Sequence, residues 1–128
     1  MSEGNLDSEI NDPGIQKVLD KLEEQSTSHK DKNRTDLSIL TSTSILGSNA
    51  YILGMEGAPQ EKINLLITKG AEKMQKLYPG EENKTIINTS LEAELKRRRE
   101  ADEKSGKKAM YTVALENYLI TQKPTDET

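Results

Sequence analysis

Residues 37–55, LSILTSTSILGSNAYILGM, contain no charged side chain, although Asp, Glu, Lys and Arg make up 31% of the sequence. Its nineteen residues approach the length of a membrane span, yet seven are Ser, Thr or Asn and two are Gly, so a membrane-spanning role is not expected. The segment fits two local structures. As a helix it places Leu37, Leu40, Thr41, Ser44, Ser48, Tyr51, Ile52 and Met55 on one stripe, with Ile39, Leu46, Ala50 and Leu53 on another side. That arrangement predicts a central helix buried on several sides. As strands, 38–46 and 50–53 would pair across Gly47-Ser48-Asn49. A two-stranded hairpin is marginal without cover, and the flanking segments read as helices, so the helix is preferred.

Those flanking segments carry clear helical signals. Asp12 can cap a helix, Pro13 suits its first turn, and Ile15, Val18, Leu19 and Leu22 share a face, which predicts an amphipathic helix over about 13–25. STSHKDKNRT (26–35) lacks an apolar period and reads as a flexible polar linker. Pro59 opens a helix in which Ile63, Leu66, Ile67, Gly70, Met74, Leu77 and Tyr78 recur at helical spacing, and Pro79-Gly80 ends it. An acidic loop, Glu81 to Lys84, is expected next, with a fourth helix starting near Asn88 on a Thr89/Glu92 capping box ahead of Leu91 and Leu95. Its continuation over 96–109 loses the apolar face, and Ser105-Gly106 marks a break. Met110, Val113, Ala114, Tyr118 and Leu119, flanked by Tyr111 and Leu115, then restore one.

The expected fold class is therefore all-α, a small irregular bundle of four to five helices with disordered termini; α+β is the alternative if 37–55 forms the hairpin. The expected organisation is a disordered acidic tail (1–12), an amphipathic helix plus linker (13–35), a helical domain (36–122) and a frayed tail (123–128) that begins ahead of Pro124. The core has to be thin. Leu, Ile and Val supply about a fifth of the residues, and Phe and Trp are absent, so aliphatic contacts between helices must carry it.

Composition also limits the chemistry. The chain has no cysteine, which removes disulfides, thiolate catalysis and Cys-ligated metals. His29 is the only histidine and lies in the linker, without partners for a zinc site or a triad. The acid pairs Glu23/Glu24, Glu81/Glu82, Glu92/Glu94 and Asp102/Glu103 have nothing in the sequence that would separate their pKa values, so they read as solvated surface. Ser105-Gly106-Lys107-Lys108 resembles the end of a phosphate loop, but Ala101 stands where the loop needs glycine. No cofactor and no enzymatic activity are expected. The acidic, uninterrupted start of the chain gives no signal peptide, and an intracellular, cytoplasmic location is the corresponding expectation.

The net charge of −4 resides in Glu3, Asp7, Glu9 and Asp12, since the remaining 18 acids match the 18 bases. The densest basic segment holds Lys96, Arg97, Arg98, Arg99, Lys104, Lys107 and Lys108. It reads first as a solvated helix with internal pairs Glu92–Lys96, Glu94–Arg98 and Glu100–Lys104, then as a contact for an acidic protein, and last as a nucleic-acid contact. The acidic tail is a further candidate to fold back onto it. Function is expected to be that of a protein-interaction or assembly protein working through amphipathic helices, by self-association or with a protein partner. Ile15, Val18, Leu19, Leu22, Ile63, Leu66, Met74, Met110 and Tyr118 are the candidate contacts. A nucleic-acid-binding regulator using 96–108 is the alternative.

Overall fold

A computed structural model describes residues 12–28 and 34–122. The described residues form five helices and no strand: α1 (Pro13–Ser28), α2 (Thr35–Met55), α3 (Gln60–Leu77), α4 (Glu81–Ser105) and α5 (Met110–Thr121). The acidic tail before Asp12, the middle of the expected linker with His29, and the tail from Lys123 lie outside the described residues. None of the described helices is long and apolar enough to cross a membrane.

Residues 37–55 are helical throughout, as preferred, and α2 packs against all four other helices. Its buried side recurs every turn as Ser38/Ile39, Ser42/Thr43, Leu46/Gly47 and Ala50. Half of that face is hydroxyl-bearing or glycine, which lets neighbours approach closely. The hydroxyls do not go unpaired. Ser38 Oγ lies 2.6 Å and Ser42 Oγ 3.3 Å from Tyr78 Oη, and Thr43 donates to the Ile39 carbonyl. Burial on several sides is not what forms, however. The stripe from Leu37 to Met55 stays exposed, because α1, α3, α4 and α5 all collect on the Ile39–Leu46–Ala50 side.

Around that side sits one core, to which α1 gives Ile15, Val18 and Leu22, α3 gives Ile63, Leu66, Ile67 and Met74, α4 gives Ile87 and Leu91, and α5 gives Tyr111, Leu115 and Leu119. Asp12 caps α1 as expected, its Oδ1 accepting the backbone N–H groups of Gly14 and Ile15, and it also pairs with Lys62 at 3.5 Å. Two boundaries differ from those the sequence predicts. Helix α1 continues through Ser28 and α2 already begins at Thr35, which narrows the linker. More substantially, α4 starts at Glu81 directly after Gly80, so the acidic loop and the Thr89 capping box do not form. Gly80 turns the chain with φ of +107°, and Glu81 and Glu82 then meet the positive end of the helix. The break at Ser105-Gly106 does form: Gly106 is left-handed, and the N–H groups of Gly106 and Lys107 both reach the Asp102 carbonyl.

Candidate docking surface

The apolar faces expected to bind a partner bind each other. Ile15, Leu22, Ile63, Leu66 and Met74 are fully buried, Val18 and Tyr118 nearly so, and Leu19 is half-buried against the same core. Only Met110 of that set is exposed. In a domain with so few apolar residues the core absorbs these amphipathic faces first.

The basic segment is also engaged internally, with partners other than the expected ones. Arg97 pairs with Glu94, and Arg98 approaches Asp102 at 3.8 Å. Arg99 and Lys108 converge from 2.9 and 2.6 Å on Glu116, across the α4–α5 junction. The three expected i,i+4 pairs are not formed among the described residues. Glu94 faces Tyr111 and Gly47 rather than solvent, and Arg98 lays its guanidinium 4.5 Å above the Tyr51 ring. Lys96, Lys104 and Lys107 make no ion pair among the described residues. Asp12, the one described acid of the expected tail, pairs with Lys62 and not with this segment.

Hydrogen bonding from Lys108, against desolvation and with help from Arg99, holds the Glu116 carboxyl below its usual range. A carboxyl depressed in the folded state stabilises the fold above its unfolded pKa, and the contribution disappears as pH falls through the folded value. Glu116→Gln is therefore expected to lower the urea midpoint at pH 7, and the gap from wild type should narrow at acid pH, below the ordinary glutamate range. An equal gap at both pH values would show that the carboxylate charge is not what matters.

What remains open to solvent is the outer side of α2. Of the seven large apolar side chains exposed among the described residues, Leu37, Leu40, Tyr51, Ile52 and Met55 lie on this one helix, with Met55 71% exposed. Thr41, Ser44 and Ser48 complete the stripe, and all eight positions are exposed. At 100° per residue they fall within about a third of the helix circumference. A groove lined by Lys21, Glu24, Gln25, Ile45 and Asn49 borders it toward α1. Tyr51, Met55, Arg98, Lys107, Lys108 and Met110 line a second groove at its C-terminal end.

The stripe is legible in the sequence, but as part of a helix buried on several sides and not as surface. Amphipathicity cannot separate the two sides of α2, since hydroxyls and aliphatics occur on both. The fold and the surface thus define an all-α five-helix bundle with one uncharged, partly apolar helix face turned outward. No protein-family model, curated protein or solved structure matches the chain.

Proposed function

We propose that this chain is a non-catalytic interaction or assembly protein whose contact surface is the outer face of α2. The observation that carries the reading is the concentration of five exposed large apolar residues on a single face without charge. Apolar surface gathered in this way marks a docking site, whereas scattered exposed apolar residues are ordinary. Two features support a protein partner over a nucleic acid. Arg97, Arg98, Arg99 and Lys108 already have carboxylate partners, and the uncharged stripe has no cation to set against a phosphate backbone.

The test compares two double variants as bait in affinity capture. Leu40→Glu/Ile52→Glu is expected to abolish capture of the binding protein while the far-ultraviolet circular dichroism stays that of the wild type, because both positions are half exposed. Arg97→Ala/Arg99→Ala is expected to retain it. The reverse pattern, together with retardation of the wild type by duplex or single-stranded nucleic acid at low salt, would overturn the reading in favour of the basic segment.

A further inference from the structure

We infer that the occupant of the α2 face is a second copy of the same chain, bound with the two α2 helices antiparallel about a two-fold axis at the level of Leu46. The inference rests on the docking reading above and names the partner. Its basis is a symmetry in the order of the exposed residues. Leu37 and Met55 stand nine positions either side of Leu46, Leu40 and Ile52 six, Thr41 and Tyr51 five, and Ser44 and Ser48 two. Every member of the exposed stripe has such a counterpart within the stripe.

In an antiparallel pair related by a two-fold axis across the helices, each residue stands level with its counterpart on the other copy, and each flank of the stripe faces the same flank. Leu37 then packs on Met55, Leu40 on Tyr51 and Thr41 on Ile52, with Ser44 and Ser48 where the helices cross. Bulky side chains meet bulky ones toward the ends and small ones meet at the centre, which allows close approach of the backbones there. The patch is thus self-complementary, as a closed two-fold interface requires.

Charge at the margins favours the same direction. Asp36 lies eleven residues, about three turns, before Gly47, and so on the flank of α2 that turns toward Tyr111 and Glu94. The two-fold operation carries it to the opposite end of the same flank on the second copy, where Lys107, without an ion pair among the described residues, lines the groove beside Tyr51. Glu56 of one copy is likewise carried toward the end of α2 at which Arg34 of the other pairs with Asp36.

The eight exposed positions run along about five turns of one helix, an interface at the small end of the range, as suits a weak and reversible dimer.

The chain contains no cysteine, so an introduced one reports on the pairing alone. When the Leu37→Cys and Met55→Cys variants are mixed and mildly oxidised, the expected product is a heterodisulfide joining position 37 of one copy to position 55 of the other. Leu37→Cys alone should give little cross-linked dimer, because the two copies of that position lie about 27 Å apart along the axis. A predominant disulfide between two copies of the Leu37→Cys variant would overturn the antiparallel arrangement. In sedimentation, the wild type should shift from monomer to dimer as concentration rises, and Ser44→Glu/Ser48→Glu should remain monomeric with unchanged circular dichroism. A wild type that stays monomeric at all concentrations would refute self-pairing. If capture of another protein were still lost in Leu40→Glu/Ile52→Glu, the docking reading would stand without it; if that variant also captured as wild type does, both would fall.

Discussion

Leu46→Ala is expected to lower the unfolding free energy by about 3 kcal/mol, within the range for emptying a fully buried leucine site. The same substitution should reverse the sign of a second one, Gly70→Ala. Gly70 is a buried position of α3 at which Leu46 of α2 fills the space a side chain would occupy: an added Cβ would meet both Leu46 methyls and lie 3.1 Å from Leu46 Cγ. Replacing a mid-helix glycine by alanine ordinarily stabilises by about 1 kcal/mol. Here the clash with a side chain that has no free space should outweigh that gain, leaving a net loss of about 1–2 kcal/mol. With Leu46 shortened the clash is gone, and Gly70→Ala becomes neutral or stabilising. A double-mutant cycle from urea unfolding measures the coupling; additive effects would show that the two helices are not interlocked at this point.

Gly47→Ala should cost about 2 kcal/mol for a related reason, with a consequence for a buried phenol. A Cβ at Gly47 would run into Tyr111 Oη and lie 3.0 Å from Glu94 Oε2 and 3.2 Å from Tyr111 Cζ. Tyr111 is almost fully buried and donates its hydroxyl to Glu94 at 2.9 Å, so it cannot step aside without breaking that bond. Tyr111→Phe alone should cost about 1–2 kcal/mol, since a partly buried carboxylate loses a donor. In that background the further cost of Gly47→Ala should fall by about half or more, because the oxygen it would strike is absent.

The phenol supplies an independent readout. Burial first, and then the neighbouring Glu94 charge, raise the Tyr111 pKa well above the ordinary tyrosine value. The folded state therefore loses stability as pH rises beyond about 10, where the unfolded chain ionises this group and the folded one does not. Gly47→Ala, by displacing the ring, should bring an additional tyrosine into the ordinary titration range in an ultraviolet pH scan. An unchanged scan would mean that the ring has not moved.

Both predictions concern glycines, and the two differ in how far local pattern reveals them. Gly70 belongs visibly to an apolar helical face, because Met74, Ile67 and Ile63 recur around it. That it is a notch for Leu46 requires the positions of two helices at once. Gly47 fits the turn of the alternative hairpin, and nothing local distinguishes a turn glycine from one that makes room for a tyrosine 64 residues later in the chain. The start of α4 escapes periodicity for another reason. Its first turn, Glu81 to Lys84, carries no apolar residue, and the apolar period is silent where a helix does not face the core.

By itself the sequence favoured the all-α class over an α+β one, and determined the cap at Asp12, the breaks at Pro79-Gly80 and Ser105-Gly106, and the near-total commitment of Ile15, Ile63, Leu66 and their neighbours to apolar faces. These are local properties, set by periodicity within a few turns and by residues that stop or start a helix. The tertiary structure decided which apolar faces close on one another and which stays outside. Leu46 and Leu40 are the same residue type on the same helix, yet one is fully buried and the other half exposed. The difference lies in where α1, α3, α4 and α5 fit around a face made narrow by Gly47, Ser38 and Ser42, and close fit between distant segments is a property that no local pattern contains.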